Sequence, residues 1–497
     1  MLNLITEKEM READVYTCEH SGISSTELME QAARAFTDIF VTDISAIRHI
    51  TVIAGTGNNG GDGLAIARLL RIKGYRNIQV ICLDDFANAS EDFTINKERL
   101  HFLKIPFETA RTPEQLPQHF DVVIDAVLGS GLNRELSSFL KNSFAHINKN
   151  SQYTVSVDIP SGCAADRFTF KNYEGIRADL TICFQRPKLL FTLPESYVVT
   201  KAFKFTEIGL DETYLTAIST DYYWTDETAV RKLIHKREAF THKGTYGHVL
   251  VVSGNTKTKG ASLLTAKAAL FSGAGLVTLL TEADYFPYVN IYQPELMTAD
   301  IDNLKILDYA KYQCIATGPG MGTDSDQRQQ LLFLLQQHQQ MVLDADALNL
   351  LTTDLLKQYI KQPVILTPHV KEFDRLFGSH ANWYDRIKTA KEKAKELHCV
   401  IVLKNQYTYI FNEEGKVFIN ATGNPAIAQG GMGDVLTGCI TGFLARGYSA
   451  FYAAVVGCFV HGKAGNELAE SYEVTPASIV AEQIPLTVRR LLSGGKA

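Results

Sequence analysis

The sequence predicts two α/β domains in series, and three observations lead to this prediction. The chain has 497 residues, which is more than one ordinary hydrophobic core requires. Short apolar segments of strand length alternate with helical patterns along most of the chain, as is typical of parallel sheets with crossover helices. This alternation is lost over residues 200–230, and we place the domain join near 210–226. The predicted domains are therefore residues 1–215 and 226–497.

The composition favours a folded protein without a nucleic-acid or membrane partner. Apolar residues make up 45% of the chain and charged residues 21%. The 49 basic and 55 acidic residues give a net charge of −6, so no basic surface is expected for nucleic acid or anionic lipid. The eight cysteines are scattered without a Cys-x-x-Cys pair, which predicts neither a zinc site nor a disulfide framework. Because no signal-peptide pattern precedes the first domain, we expect a cytoplasmic protein.

The first domain opens with a helix and continues with strand and helix units. Ser24 and Glu27 form a capping-box pattern, and Leu28, Phe36 and Phe40 fall on one face of the helix that follows. The segments HITVIAG, IQVICL, DVVIDAVLG and YTVSVDIPSG then read as buried strands, with GLAIARLLRIKG as a helix after the first of them.

A glycine-rich loop, GTGNNGGDG, joins the first of these strands to its helix. The loop formally satisfies G-x-G-x-x-G, and Asp84 and Asp85 end the next strand at the spacing of a ribose-binding acid. A dinucleotide-binding dehydrogenase is therefore one alternative. Asn58, Asn59 and Asp62 weaken it, because they bring acceptors and negative charge to a loop that would hold a pyrophosphate. The domain also lacks an obvious hydride-transfer histidine or lysine near a strand end.

Two more strands end in an aspartate. Asp125 precedes a second glycine turn, GSGLNRE, and Asp158 precedes Ile-Pro-Ser-Gly. Ligands of open α/β sheets bind outside the carboxyl ends of the strands, so these loops should converge, although each aspartate alone could be a loop cap. Asn59, Asp125 and Ser161 would offer hard oxygen ligands for an alkali or alkaline-earth cation. Asp158 is the best remaining candidate for proton transfer, and Arg134 and the glycine amides suit phosphate.

Four segments of this domain closely resemble the NAD(P)H-hydrate epimerase domain over about residues 1–215: TELMEQAARAF, GNNGGDGL, DAVLGSGLNRE and VSVDIPSG. The resemblance implies a Rossmann-like αβα fold that interconverts the R and S hydrates of NADH and NADPH, and potassium bound by Asn59, Asp125 and Ser161. It also implies substrate binding by Asn58, Asn59, Gly60, Gly61 and Asp62, by Gly129, Ser130, Gly131, Leu132, Asn133, Arg134 and Glu135, and by Asp158. Residues 163–167 depart from the family pattern Leu-Asp-Ala-Asp-Thr-Gly, so the loop after Ser161 can close differently.

The most informative segment of the chain is TGNPAIAQGGMGDVLTG, residues 422–438. It places Gly430, Gly431 and Gly433 directly before a long apolar helical pattern. The amide groups of such a loop and the positive end of the helix dipole favour a phosphate group. A carboxylate at Asp434 is electrostatically unfavourable there unless it accepts a proton from a hydroxyl that attacks a phosphoryl group. The alternative is that Asp434 only caps the helix.

Other loops of the second domain could face this phosphate site. Strands resume at HVLVVSG and continue to VIVLKN, followed by a hairpin in YTYIFNEEGKVFIN. Residues 318–322 expose a glycine-rich backbone against which a flat ring could lie. Asp344 and Asp346 follow one strand, His369 follows another, and Lys404 ends a third. Helix caps are the alternative for the two aspartates, and an exposed loop position is the alternative for His369.

The glycine loop followed by Asp434 resembles the ribokinase-like αβα fold. Together with K-G-x-Y-G residues, GPGMG, LDADALN and LTPH, it resembles the ADP/ATP-dependent NAD(P)H-hydrate dehydratase domain over about residues 226–497. The resemblance implies that ADP or ATP phosphorylates the hydrate, which then loses phosphate. We expect Mg²⁺ as the charge neutraliser of the donor phosphates. By position, Ala261, Gly320, His369 and Asp434 would contact the hydrated nucleotide, and Lys404, Asn405, Gln406, Tyr407, Thr408 and Gly433 would contact the adenylate part of the donor.

The combined hypothesis is a bifunctional repair enzyme that epimerises hydrated NADH and NADPH (NADHX and NADPHX) and dehydrates the S form. Asn405 replaces a family glycine, and Ala426 and Gln429 change the family pattern Asn-Pro-Gly-Met-Ala-Thr, but none of these changes removes Asp434. One alternative is a small-molecule or vitamin kinase with an N-terminal nucleotide-binding module. Another is an N-terminal domain that only binds or scaffolds. We expect small-molecule substrates and a homo-oligomer.

Overall fold

The computed structural model describes residues 1–83, 89–131, 135–166, 168, 170–337, 339–360 and 362–494. Contacts between α-carbons divide the chain into two compact units, Leu2–Thr220 and Asp221–Ala497, with Met1 assigned to the second. Each unit has a largely parallel sheet with helices, so the α/β class predicted from the sequence is confirmed.

The N-terminal unit is built on a parallel sheet. Its strands are β2 (Ile50–Ala54), β3 (Ile78–Leu83), β4 (Phe107–Ala110), β5 (Phe120–Ala126), β6 (Ser151–Val157), β7 (Ala178–Phe184) and β8 (Thr200–Thr206), and the short strand β1 (Leu2–Asn3) is not one of them. The seven-stranded sheet has the order β4-β3-β2-β5-β6-β7-β8, and all neighbours are parallel. The strand order reverses at β2, between β3 and β5, which is the switch point at which Rossmann-like sheets bind ligands.

Helices cover this sheet with apolar faces. They are α1 (Glu7–Ser21), α2 (Ser25–Asp43), α3 (Asn58–Ile72), α4 (Glu91–Phe102), α5 (Ser138–Asn150) and α6 (Glu212–Ala217). The predicted capping box is confirmed, because Ser24 and Glu27 satisfy each other's backbone N–H groups at the start of α2. Leu28, Phe36 and Phe40 are buried in the core, as the helical periodicity predicts.

The C-terminal unit has a longer, mixed sheet. Its strands are β9 (Tyr222–Thr225), β10 (His248–Val252), β11 (Leu276–Thr281), β12 (Met297–Asp300), β13 (Cys314–Thr317), β14 (Gln340–Leu343), β15 (Val364–Leu366), β16 (Val400–Leu403), β17 (Tyr409–Phe411) and β18 (Val417–Asn420). They follow the order β9-β18-β17-β16-β15-β14-β13-β10-β11-β12. Pairing is antiparallel only where β17 meets β16 and β18, so the predicted hairpin is confirmed.

Helices α7 to α17 surround this second sheet. They are α7 (Glu227–Leu233), α8 (Lys259–Phe271), α9 (Phe286–Tyr292), α10 (Ser325–Leu335), α11 (Ala345–Leu350), α12 (Thr353–Tyr359), α13 (Val370–Phe377), α14 (Trp383–Leu397), α15 (Met432–Ala445), α16 (Ala450–Ala469) and α17 (Ala477–Ser493). Helix α15, which begins at the glycine loop, is buried along most of its length. A β-carbon at Gly438 would lie 2.1 Å from the carbonyl oxygen of Thr265 in α8, so glycine there lets the two helix backbones approach closely.

Within the described residues, no helix combines the length and the apolar character needed to cross a lipid bilayer.

Candidate active sites

The carboxyl ends of the strands in the N-terminal unit border a cavity of about 620 Å³. Seven of the predicted substrate-binding residues line it: Asn58, Asn59, Asp62, Gly129, Ser130, Gly131 and Asp158. The loops after β2, β5 and β6 therefore converge. Leu132, Asn133 and Arg134 lie outside the described residues, as do Asp84 and Asp85 of the dehydrogenase alternative.

Three other predicted residues of this site do not line the cavity. A β-carbon at Gly60 would lie 1.9 Å from the carbonyl oxygen of Gly55, and one at Gly61 would lie 2.8 Å from the sulfur of Met29. These glycines let helix α3 pack closely against its surroundings. Glu135 is exposed outside the cavity.

Asp125 is fully buried behind the cavity and is saturated with hydrogen bonds. Its carboxylate accepts hydrogen bonds from the Ser156 hydroxyl at 2.8 Å, the Ser161 backbone N–H at 2.8 Å and the Ser161 hydroxyl at 2.5 Å. Burial raises the pKa of Asp125, although the serine donors oppose this. No cationic side chain of the described residues forms an ion pair with it. A buried negative charge without a counter-charge is what a monovalent cation could neutralise.

Asn59 is the third predicted cation ligand, and it lies in the cavity wall. Its side chain is near Gly129, where a β-carbon would lie 3.5 Å from that of Asn59. The Asn59 Nδ2 atom is buried without a hydrogen-bond partner in the described part of the chain. Hydrogen bonds thus join Asp125 to Ser161, whereas the side-chain amide N–H group of Asn59 has no acceptor among the described residues.

Asp158 follows β6 in a left-handed backbone conformation with φ of 61°, which is uncommon for a residue with a side chain. Its Oδ1 accepts the Phe184 N–H at 2.9 Å and lies 3.2 Å from Nζ of Lys188. Lys188 is buried. Burial acts to lower the pKa of Lys188, but Asp158 and Cys183 outweigh it, and that pKa is raised. Such backbone strain and a buried ion pair beside a cavity are typical of functional sites.

Sequence reasoning missed several ionisable residues of this site, among them Lys188 and Asp14. Asp14 comes from α1 and lines the cavity; burial and the nearby Asp158 raise its pKa to about 7. Burial and Asp158 also raise the pKa of Asp62 well above its usual value. One signal was available for Asp14, since it lies four positions after Met10 on the buried face of α1. Lys188 follows strand β7 and offered no comparable pattern.

The C-terminal unit has a cavity of about 450 Å³ beside the start of α15. Five of the predicted donor-binding residues line it: Lys404, Asn405, Gln406, Thr408 and Gly433. Tyr407 does not line it, and its ring lies beside Trp224, with centroids 5.9 Å apart. The loop after β18 and helix α16 add Asn420, Thr422, Asn424 and His461 to the wall. Thr422 and Asn424 belong to the segment 422–438 that the sequence singled out, whereas Asn420 and His461 were not identified from the sequence.

Asp434 is the third residue of α15, and Gly431 occupies the N-cap position with φ of 89°. The hypothesis that Asp434 is simply the N-cap is therefore wrong. Burial, and then the charge of Asp344, raise the pKa of Asp434 to about 7, while Lys404 opposes this. The carboxyl group thus exchanges its proton near neutral pH.

A polar network fixes the groups next to Asp434. Lys404 Nζ donates to Asp344 Oδ1 at 2.7 Å, and the Thr437 hydroxyl donates to Asp344 Oδ2 at 2.8 Å. Asp344 precedes α11 but makes no side-chain cap, so the capping alternative is wrong for it. Asp346 instead accepts the N–H of Gly322 at 2.9 Å, which ties it to the glycine-rich loop.

The residues predicted to contact the hydrated nucleotide lie outside the wall of the 450 Å³ cavity. Ala261 and Gly320 are neighbours, because a β-carbon at Gly320 would lie 3.1 Å from that of Ala261. His369 is half-exposed, but its Nδ1 caps α13 by accepting the N–H groups of Lys371 and Glu372 at 3.1 and 3.2 Å. His369 is therefore partly exposed, as that alternative expected, but it also caps helix α13.

Among the described residues, no group of three or more histidine, cysteine, aspartate or glutamate side chains is arranged to hold a metal ion.

Comparison with known proteins extends over nearly the whole chain. Residues 25–190 match the family described as YjeF-related protein N-terminus, and residues 249–486 match the NAD(P)H-hydrate dehydratase family. The bifunctional NAD(P)H-hydrate repair enzyme of Coxiella burnetii is 34% identical over 95% of this chain and 96% of its own length. The enzyme of the same name from Escherichia coli is 30% identical over 95% and 90%, respectively.

Two solved structures resemble the C-terminal part of the chain. A ribokinase-like superfamily protein from Enterococcus faecalis has a TM-score of 0.50 and 27% identity, covering 55% of this chain and 98% of its own. The ADP/ATP-dependent NAD(P)H-hydrate dehydratase from Bacillus subtilis, co-crystallised with ATP/Mg²⁺, has a TM-score of 0.50 and 32% identity, covering 54% and 98%.

These matches confirm both resemblances read from the sequence, including the ribokinase-like fold of the second domain. The chain belongs to the family of bifunctional NAD(P)H-hydrate repair enzymes, which combine an epimerase domain with an ADP/ATP-dependent dehydratase domain.

Proposed function

We propose that Asp434 is the general base of the dehydratase reaction and accepts the proton of the hydrate's hydroxyl group. The main support is the position and the acidity of the Asp434 carboxyl group. It follows the Gly430-Gly431 loop, and burial and Asp344 raise its pKa to about 7. A base works best when its pKa is near the operating pH. The first amides of α15 have no helical partners and would hold the transferred phosphoryl group.

The donor would be ADP or ATP, bound in the 450 Å³ cavity by Lys404, Asn405, Gln406, Thr408 and Gly433, while Tyr407 of the same loop lies outside its wall. The B. subtilis dehydratase co-crystallised with ATP/Mg²⁺ supports this assignment. Mg²⁺ would arrive with the donor phosphates. In such sites it keeps several waters and takes only one or two carboxylates, so no dedicated protein cluster is required.

The reaction would proceed in two steps. The hydroxyl oxygen attacks the terminal phosphoryl group, Asp434 takes the proton, and AMP leaves when ADP is the donor, or ADP when ATP is. The phosphoester then loses phosphate and a proton from the neighbouring ring carbon, which restores the double bond of NADH or NADPH. Phosphorylation is useful because a hydroxyl is a poor leaving group and a phosphate a good one. Ala261, Gly320 and His369 would contact the hydrate.

In the N-terminal unit we propose that Asp158 transfers a proton during epimerisation and that Lys188 positions it. The 3.2 Å ion pair and the place of Asp158 in the wall of the 620 Å³ cavity support these roles. Asp14, whose pKa is about 7, would be a second group able to exchange a proton near neutral pH. Asn58, Asn59, Asp62, Gly129, Ser130 and Gly131, which line the cavity, would bind the substrate.

Potassium would be held by Asn59, Asp125 and Ser161. The buried charge of Asp125, which has no cationic partner in the described part of the chain, supports this assignment. The ion would neutralise that charge and fix the loops after β5 and β6.

The epimerase would occupy residues 1–215 and the dehydratase residues 226–497, in a cytoplasmic homo-oligomer. The eight cysteines form no disulfide bonds in the described part of the chain, which suits a reducing compartment. Three exposed apolar side chains that line one shallow surface depression, Ile72, Phe102 and Leu103, support self-association. Light scattering would contradict the oligomer if it gave only the 55.2 kDa of one chain.

The test is incubation with a mixture of R and S hydrates of NADH plus ADP or ATP. We expect dihydronicotinamide absorbance to return with one inorganic phosphate for each NADH formed. A stable phosphoester from a hydroxylated vitamin, without phosphate release from the hydrate, would favour the small-molecule kinase alternative. Conversion of the R hydrate at wild-type rate by Asp158→Ala would favour an N-terminal domain that only binds.

A further inference from the structure

Helix α1 brings a charged side chain to the 620 Å³ cavity of the N-terminal unit that none of the steps above uses. Arg11 lines the cavity wall, and among the described residues of that wall it is the one cationic side chain. It lies against the glycine turn after β5, because a β-carbon at Gly131 would be 2.8 Å from Arg11 Nη2. The guanidinium group therefore covers this turn from the side of α1.

The guanidinium group of Arg11 is oriented from its own helix. Met10 and Ala13 pack α1 into the core, and Arg11 Nε donates to Glu7 Oε1 at 3.0 Å, one helical turn earlier. Glu7 lines the same cavity and its side chain is only 13% exposed. The two terminal nitrogens of Arg11 have no hydrogen-bond partner in the described part of the chain. Their paired N–H groups are thus available to an anion, and they match the geometry of phosphate oxygens.

A second set of donors lies at the other end of the same glycine turn. A β-carbon at Gly129 would be 3.5 Å from that of Asn59, in the first turn of α3. This helix begins after Gly57, an N-cap residue that provides no side-chain hydrogen bond. The first N–H groups of α3 therefore have no partner within the helix, and the helix dipole gives this end a partial positive charge. Residues 129–131 thus lie between a guanidinium group and a helix N-terminus, both of which attract anions.

A cluster of carboxyl groups gives the same cavity a negative region. Burial and then Asp158 raise the pKa of both Asp14 and Asp62, so these three carboxyl groups are close enough to interact. Only Asp158 has a cationic partner, Lys188, among the described residues. A diphosphate group brings two negative charges, so it is disfavoured beside the three carboxyl groups and favoured beside Arg11.

We propose that Arg11 binds the diphosphate group of the hydrated coenzyme and thereby directs its dihydronicotinamide ring toward Asp158. Glu7 would be the positioning residue that orients the guanidinium group. The role of Arg11 rests on the proposed function, because it takes the 620 Å³ cavity as the epimerase site.

The experiment follows interconversion of the R and S hydrates by chromatography, without ADP or ATP so that the dehydratase is idle. It compares the wild type with Arg11→Gln and Arg11→Lys. We expect KM in Arg11→Gln to rise about tenfold to a hundredfold for the hydrates of both NADH and NADPH, as for a lost hydrogen bond to a charged group. The value of kcat should stay nearly unchanged, because the diphosphate is bound equally before and during proton transfer. Arg11→Lys should lie between, since lysine keeps the charge but loses the paired donors.

Lys8 provides the matched control. It lies on the same helix, forms an i, i+4 ion pair with Glu12 and does not line the cavity. Lys8→Gln removes one positive charge from α1, as Arg11→Gln does, and should have the KM of the wild type. The Arg11 side chain is 60% exposed, so we expect Arg11→Gln to fold, and thermal unfolding of each variant checks this.

Inorganic pyrophosphate gives a second measurement that does not depend on turnover. It should compete with the R hydrate in the wild type, and calorimetry should show weaker pyrophosphate binding in Arg11→Gln by about the same factor as the rise in KM. Equal pyrophosphate binding by the two proteins, or none by the wild type, would overturn the proposal.

The kinetic outcomes separate other roles of Arg11 from the proposed one. An unchanged KM in Arg11→Gln, or a lower kcat at constant KM, would overturn diphosphate binding. A KM that rises only for the hydrate of NADPH would overturn it as well, because it would assign Arg11 to the 2′-phosphate. If the wild type does not interconvert the hydrates, the proposed function fails, whereas pyrophosphate binding that Arg11→Gln weakens would still support the anion site.

Discussion

Asp434 and Asp14 have the same altered acidity for the same physical reasons. Burial and a nearby carboxylate, Asp344 in one case and Asp158 in the other, raise the pKa of each to about 7. An ordinary aspartate is almost fully ionised at neutral pH and is a weak base. These two residues can exchange a proton near pH 7, which is the property required of a general acid or base.

The first residue-scale prediction concerns the dehydratase base. Asp434→Asn keeps the size of the side chain but removes its ability to accept a proton, so we expect dehydration of the S hydrate to fall by about 10²–10⁴-fold. Phosphate release from ADP measures it, and the epimerase rate of the same preparation controls for folding. Wild-type turnover would remove Asp434 from the mechanism.

The pH dependence of both activity and stability follows from the same group. The limiting rate on the S hydrate should decrease as the pH falls below about 7, because Asp434 is then protonated. The pKa is about 7 in the folded protein against 3.8 for the ordinary group, so the folded state retains a proton that the unfolded chain loses. The contribution of Asp434 to the free energy of unfolding therefore decreases as the pH rises from about 4 to about 7.

Asp434→Asn does not carry the cost of ionising a buried carboxyl group, so the variant should be more stable than the wild type above pH 7. The difference should be a few kcal/mol at most, since each pKa unit corresponds to about 1.4 kcal/mol. Denaturant melts of both proteins between pH 4.5 and 8.5 measure the difference. A difference that does not grow with pH would show that Asp434 is not the titrating group.

A third residue-scale prediction concerns the epimerase. Asp158→Asn removes a proton-transfer group and the ion pair with Lys188, so we expect use of the R hydrate to be lost while the S hydrate still reacts. Lys188→Met should slow epimerisation in the same direction, because Asp158 loses its positioning partner. Stereochemical analysis of the remaining hydrate by chromatography measures both. Equal rates on the two hydrates in Asp158→Asn would reject the assignment.

At the scale of elements, the position of Asp434 depends on how closely α15 packs against α8. Gly438→Ala would bring a β-carbon to 2.1 Å from the Thr265 carbonyl oxygen, which is backbone and has little room to move. We expect a loss of about 1–3 kcal/mol in stability, the usual effect of overpacking a core. Gly260→Ala in α8 is the control, because a β-carbon there meets nothing within 4 Å. Thermal unfolding measures the stability of both variants. Equal midpoint temperatures for Gly438→Ala and Gly260→Ala would show that α15 and α8 can move apart without loss of stability.

Elements with a strong local signal could be predicted from the sequence. The capping box before α2, the hairpin of β17 and β18, and the glycine loop before α15 each rest on residues close together in the chain. Loops at the carboxyl ends of parallel strands were predictable as a group, because the sheet brings them to one edge. The sequence pointed to Asp158 through its place at a strand end, and to Asp434 through the glycine loop before α15.

Residues contributed by elements distant in sequence were harder to predict. Asp14 lies in α1, before the first strand of the sheet in the N-terminal unit, and only its place on the buried face of α1 marked it. Its raised pKa comes from burial and from Asp158, which only the folded chain brings close. Likewise, Asp344 reads as a helix cap in the sequence, whereas in the structure Lys404 and Thr437 bind its carboxylate.

At the scale of the whole molecule, the two units act on the two stereoisomers of one damaged coenzyme. The C-terminal reaction consumes the S hydrate, and the N-terminal reaction converts the R hydrate into it. Full salvage of a mixed pool therefore requires both activities, although the two residues proposed to be catalytic, Asp158 and Asp434, lie in different compact units. The chemistry itself requires only that the S hydrate reach the second site.

This leads to a prediction for mixtures of two inactive forms. On a mixed pool of hydrates, Asp158→Asn should stop when the S fraction is consumed, and Asp434→Asn should form almost no NADH. The two variants mixed in one solution should restore full conversion, because the S hydrate released by one chain can diffuse to the other. Dihydronicotinamide absorbance at completion measures the outcome, with each variant alone at doubled concentration as the control. If the mixture also stops at the S fraction, the hydrate is transferred only within a chain or an assembly, and the two active sites are coupled.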